Sequence, residues 1–150
     1  MRVIIQRVSQ AKVTVDREIV GEISQGLLLL LGIEEADTKE DIDWLCRKVC
    51  NMRIFGDENG NMNLSLKDVH GGVLVVSQLT LHASTKKGNR PSFIKAAKPD
   101  FAEKMYEDFK DTIASEFGKP IACGRFGADM KVSLVNDGPV TISLDSKNKE

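Results

Sequence analysis

Four polar side chains close together, Ser77, Gln78, Thr80 and His82, have the types and spacing that invite chemistry. They follow Val73-Leu74-Val75-Val76, an apolar run that reads as a buried strand. Ser, Gln and Thr at the end of such a strand need partners, so the stretch marks a site or a satisfied hydrogen-bond network. Hydroxyl and amide donors in a pocket suit an oxyanion, the charge that develops when an ester or amide carbonyl is attacked. Thr80 and His82 invite a nucleophile–base reading, but on a continuing strand they share a face and point in parallel. No carboxylate is placed to orient the imidazole. His82 is therefore expected to be exposed and incidental, and neither residue to supply essential proton chemistry. His70, in Val69-His70-Gly71-Gly72, reads as a turn residue.

A second stretch, Asn136-Asp137-Gly138-Pro139-Val140-Thr141, lies between two alternating apolar runs, Met130, Val132, Leu134 and Ile142, Leu144. Strand, turn, strand is the natural pattern, and a plain hairpin turn its simplest form. Pro139 cannot donate to a ladder, Gly138 can take backbone angles closed to other residues, and an X-Pro bond adopts cis at modest cost. The bond is expected to be cis. Such a corner can hold two backbone carbonyls in a fixed direction.

A third stretch, Ser84 to Lys98, contains Lys86, Lys87, Arg90, Lys95 and Lys98 without an acid. Its local charge of +5 leaves −6 for the rest of a chain whose net charge is −1. A solvated loop is one reading; contact with phosphates is the other, because the loop directly follows the polar strand end.

Other templates fit poorly. The three cysteines lack metal-site spacing, and reduced thiols in a cytosolic protein explain them economically. Asp57 to Asn63 resembles a calcium loop until its glycine falls at the wrong position, so it reads as a polar hairpin. There is no glycine-rich nucleotide fingerprint and no zinc motif, and neither metal nor cofactor is expected. The longest apolar run, Leu27 to Leu31, is far too short to span a bilayer.

These residues must be held by a chain of 150 residues, expected to form one domain over 1–150. Arg2 to Val8, Ala11 to Val15 and Ile19 to Ile23 read as strands, with a turn at Asp16-Arg17-Glu18. Gly26 opens a central strand, Leu27 to Leu31, covered on both faces. Asp37 or Thr38 caps a helix whose stripe is Ile42, Leu45, Cys46, Val49, Cys50. Pro99 starts a second helix with Phe101, Met105, Phe109, Ile113 and Phe117 on one side, ended by Gly118. About eight strands and two major helices without regular alternation indicate an α+β fold with mixed, mostly antiparallel sheets.

Ser77-Gln78-Leu79-Thr80, Gly88-Asn89-Arg90-Pro91-Ser92-Phe93 and Asn136-Asp137-Gly138-Pro139-Val140-Thr141 together resemble the D-aminoacyl-tRNA deacylases. The likeness runs from Arg7-Val8 through Arg53-Ile54-Phe55 to Gly127-Ala128-Asp129-Met130. One departure is Leu79, where the family commonly has phenylalanine. The resemblance implies a deacylase-type fold and hydrolysis of the ester between a D-amino acid, or glycine, and the terminal adenosine of tRNA. It implies a cytoplasmic homodimer whose sites lie between subunits, with the Gly138-Pro139 carbonyls rejecting L side chains. Ser77 and Gln78 would sit beside the scissile carbonyl with Thr80 in the same pocket, and the 2′-hydroxyl of the terminal ribose would help activate water. Leu79, Phe93 and Met130 would shape the adenosine and aminoacyl pocket, and Lys86, Lys87 and Arg90 would meet acceptor-stem phosphates. Two other classes compete: a module that binds the tRNA end without turnover, which would have no need of a chiral wall, and a small-molecule esterase, which would leave the basic loop idle.

Overall fold

The computed structural model describes residues 1–150. In chain order the strands are β1 (Arg2–Val15), β2 (Glu18–Ile23), β3 (Gly26–Gly32), β4 (Phe55–Gly56), β5 (Met62–Leu64), β6 (Gly72–Ser77), β7 (Ala122–Cys123) and β8 (Lys131–Asp145). Helix α1 (Lys39–Asn51) lies between β3 and β4, and α2 (Pro99–Phe117) between β6 and β7. The α+β class read from the sequence is the class observed.

β1 is the spine of the main sheet. Arg2–Val8 pairs antiparallel with β3, Ala11–Val15 pairs with β2, and β8 runs along the opposite edge of both halves. The sequence suggested two strands here, but β1 runs on through Ser9, where the register with β8 shifts, and Gln10 pairs with Val135. The β1–β2 hairpin turns through Asp16 and Arg17 at φ 49° and 70°, the turn hand that suits strand twist. β3, β6 and β7 follow in parallel, so each step needs a crossover. α1 with the β4–β5 hairpin supplies the first, and α2 the second. The sheet curls until β2 packs against β6 and β7, closing it nearly into a barrel.

That curl separates two cores. Leu27, Leu29 and Leu31 face the helix side with Ile42, Leu45, Val49, Tyr106, Phe109 and Ile113. Leu28 faces inside the curl with Val8, Val13, Leu74 and Val76. Both faces of β3 are covered, as its unbroken apolar run implied. Each fully buried leucine contributes about 2 kcal/mol of transfer free energy. Cys46 and Cys50 are buried on the α1 stripe. Burial pushes their thiols up, that of Cys50 to about 11, so both are inert at neutral pH.

Two sequence expectations fail here. The stretch from Asn136 to Thr141 is not a hairpin turn: β8 spans it without reversing direction and pairs β1 on both sides of an interruption in the ladder. The chain after Ser77 does not continue as a strand: Leu79–His82 is a 3-10 turn, so Thr80 and His82 do not share a face.

Thr38 caps α1, its hydroxyl accepting from the Glu40 N–H, while Asp41 accepts from the Thr38 N–H at 2.7 Å in a capping box. Asp41 also accepts from Lys147 Nζ at 3.0 Å, which fastens the C-terminal segment to the helix start. Burial alone would raise the Asp41 carboxyl, but hydrogen bonds from Ser146, Thr38 and Lys147 hold it well below the usual carboxylate range. A carboxyl depressed by folding contributes stability that is complete above its unfolded pKa of about 3.9 and is lost as pH falls toward the folded value. Asp41→Asn should lower stability at pH 7 by about 1 kcal/mol and flatten the acid limb, read from urea midpoints between pH 7 and pH 2.

Candidate active site

β6 ends at Ser77, in register with Leu31 of β3, and the Gln78 N–H donates to the Leu31 carbonyl at 2.7 Å. This bond fixes where the strand stops and the 3-10 turn begins. Ser77, Gln78 and Leu79 form one wall of a cleft of about 460 Å³. Phe93 comes from the basic loop, Met130 from the segment before β8, and Phe126 from the approach to it. The rest of the lining is largely apolar, including Leu31, Ile33, Ala96 and Ala97. Phe126 rests on Tyr106 of α2 with ring centroids 5.6 Å apart, and the Tyr106 hydroxyl donates to the Val75 carbonyl at 3.3 Å. One wall is thereby tied to both α2 and β6.

Five residues expected in the site, Ser77, Gln78, Leu79, Phe93 and Met130, come together on this cleft. Thr80 does not line it. It is exposed at the rim, and its hydroxyl accepts from Gln78 Nε2. His82 is not exposed: it is 1 % accessible, and neither ring nitrogen has a hydrogen-bond partner. The sequence misplaced it because a tight turn, not a strand, carries it inward. The nearest carboxylate is Glu34, with Oε2 3.7 Å from His82 Nδ1. Lys86, Lys87 and Arg90 line a separate shallow cavity of about 270 Å³ with Ser84, Ser92 and Lys95.

Gly138 and Pro139 lie elsewhere. Asn136 pairs with Val8 and Thr141 with Gln6, so the four residues from Asp137 to Val140 oppose Arg7 alone. The surplus leaves the ladder as an exposed corner at Asp137, Gly138 and Pro139. The Gly138–Pro139 bond is cis. Arg7 holds the corner from below, donating from Nε to the Asp137 carbonyl at 3.0 Å and from Nη1 to the Ile54 carbonyl at 2.6 Å. Asn136 braces it from the side: Oδ1 accepts from the Val140 N–H at 2.8 Å, and Nδ2 donates to Gln6 and Thr141. Gly138 sits at φ 132°, where a Cβ would be strained and would meet Arg7 Nη2 and Val140 Cγ2 at 2.9 Å. Arg7 is the residue sequence reasoning missed: 130 positions separate it from Asp137.

Corner and cleft are far apart on one chain. Ser77 aligns through Leu31 with Val3 of β1, whereas the corner aligns with Arg7. That is roughly 13 Å along the strands, and three strand spacings add about 14 Å across the sheet.

The guanidinium fork makes two bonds that an ammonium cannot reproduce in the same geometry. Arg7→Lys should therefore keep the fold and loosen the corner, read as faster amide exchange confined to residues 136–140. Unchanged exchange there would mean that Asn136 alone holds it.

The family model for D-Tyr-tRNA(Tyr) deacylase matches residues 4–145. A D-aminoacyl-tRNA deacylase of Flavobacterium johnsoniae is 68% identical over all 150 residues, covering 100% of both chains. One of Bacteroides fragilis is 59% identical over the same span. Among solved structures, a c-Myc DNA unwinding element binding protein superposes with a TM-score of 0.92 at 39% identity, covering 97% of this chain and 98% of its own. A probable eukaryotic D-amino acid tRNA deacylase shares the fold, with a TM-score of 0.81 at 17% identity and coverage of 95% and 97%. With the family match spanning nearly the whole chain and relatives this similar along their full length, the chain belongs to the D-Tyr-tRNA(Tyr) deacylase family.

Proposed function

We propose that this enzyme hydrolyses the ester joining a D-amino acid, or glycine, to the 3′-terminal adenosine of tRNA, acting in the cytoplasm as a homodimer. Each active site combines the Ser77–Leu79 cleft of one subunit with the Gly138-Pro139 corner of the other. The observation that carries this reading is the separation of the two halves: a cleft with polar donors on one wall, and a braced, exposed corner too distant to enter it on the same chain. The cleft has the size of a small-molecule site and suits the aminoacyl-adenosine end.

In this scheme water attacks the ester carbonyl, the bond to the ribose oxygen breaks, and the departing oxygen takes up the proton. Ser77 and Gln78 stabilise the oxyanion, a donor being worth about 3 kcal/mol there. Thr80 orients Gln78 through their hydrogen bond and is not the nucleophile. The 2′-hydroxyl of the terminal ribose helps activate the water, so the protein positions and polarises. The Gly138 and Pro139 carbonyls stand against the substrate Cα. An L side chain collides with that wall, a D side chain points away, and glycine has nothing to exclude. Lys86, Lys87 and Arg90 are exposed beside the Phe93 wall, where acceptor-stem phosphates would pass.

The test is hydrolysis of D-tyrosyl-, L-tyrosyl- and glycyl-tRNA by the purified protein. The D and glycyl esters should be lost while the L ester survives. Survival of all three with folded protein would favour a binding module, and loss of all three an unselective esterase.

A further inference from the structure

We infer that His82 and Glu34 form a polar latch that positions the Gln78–Thr80 turn against the cleft for catalysis. This rests on the hydrolytic reading above. His82 ends the 3-10 turn that carries Leu79 and Thr80, and the Leu81 N–H donates to the Gln78 carbonyl at 3.2 Å. Its imidazole lies beneath that turn and is 1 % accessible, with Nδ1 and Nε2 both unpartnered. Two buried, unsatisfied polar atoms cost stability that an apolar side chain of similar volume would not. Such a residue calls for a role other than holding the fold.

The surroundings supply one. Gly32 lets the turn approach β3 closely: a Cβ there would lie 2.9 Å from Leu81 Cβ and 3.1 Å from the His82 ring. Glu34, two residues on, places its carboxylate 3.7 Å from His82 Nδ1. Glu34 also forms an isolated bridge with Ala96, and the Ala97 N–H donates to the Ile33 carbonyl at 2.9 Å. Ile33, Ala96 and Ala97 all line the cleft. His82 therefore stands between the wall that bears Gln78 and the wall that faces it.

A movement under 1 Å closes the gap and lets Nδ1–H donate to Glu34. Catalytic hydrogen bonds are often long in the free enzyme and tighten when substrate is bound. Other charged groups nearby are already committed. Arg2 donates to the Leu81 carbonyl at 2.8 Å and pairs with Asp145, and Lys147 bonds Asp41 at 3.0 Å. Glu34 remains the acceptor available to the imidazole.

The test measures kcat and KM on D-tyrosyl-tRNA, together with Tm, for wild type, His82→Leu, His82→Asn, Glu34→Ala and the His82→Leu, Glu34→Ala double variant. His82→Leu should lower kcat by about ten- to a hundredfold with KM nearly unchanged, the scale expected of a small misplacement. Its Tm should equal or exceed that of wild type. Asn presents an amide N–H close to the position of Nδ1, so His82→Asn should recover most of the loss. Glu34→Ala should match His82→Leu, and the double variant should be no worse than either alone. Wild-type kcat in the single variants, independent losses that multiply, or a loss that follows a lowered Tm and is not recovered by Asn would overturn the latch. An inactive wild-type protein would overturn the hydrolytic reading and the latch with it, a different failure from active wild type with indifferent variants.

Discussion

The register between β1 and β8 is the constraint on which the rest depends. Two long strands pair on both sides of Arg7, yet β8 has four residues where β1 has one. The excess cannot enter the ladder, and Val140 returns to the core, so Asp137, Gly138 and Pro139 are pushed outward. The Arg7 guanidinium and the Asn136 amide then satisfy the backbone groups that the broken ladder leaves at the corner. A protrusion made this way is stiff because the paired strands on either side fix both its ends. An ordinary surface loop has no such anchorage.

The cleft depends on the same sheet at another point. β6 stops at Ser77 because the chain is gathered into a 3-10 turn against β3, and α2 supports the cleft through Tyr106 and Phe126. The polar groups on its wall are few, and most of the lining is apolar, which excludes water and strengthens each donor that remains. Dimerisation, in this view, joins a rigid corner to a largely apolar cleft, and neither half needs a strongly shifted titratable group.

Much of this arrangement was legible in the sequence. The unbroken Leu27–Leu31 run indicated a strand covered on both faces, and the stripes of α1 and α2 indicated their buried sides. Ser77 and Gln78 could be named from their place at the end of a buried strand, and Phe93 and Met130 only from the family resemblance; they meet in three dimensions. Local pattern failed where the deciding information was distant. Asn136–Thr141 looks like a turn because Gly-Pro usually is one; only pairing with Gln6 and Val8 reveals a strand that continues. Arg7 gave no local signal, since its partners lie on β8 and at Ile54. His82 was misplaced because strand alternation was carried on past Ser77, where the chain instead turns as a 3-10 helix from Leu79 to His82 and brings the imidazole inward.

Subunit mixing tests the central claim, a site shared between two copies, most directly. Gln78→Ala removes a donor from the cleft, and Gly138→Leu puts a bulky side chain where the substrate Cα would lie, which blocks D and L esters alike. If the site is shared, a mixed dimer holds one site with both lesions and one with neither. Co-refolding two inactive homodimers should then restore D-tyrosyl-tRNA hydrolysis in proportion to the mixed dimer formed. If each chain completes its own site, every site in the mixed dimer carries a lesion, and activity that stays absent would contradict the shared site.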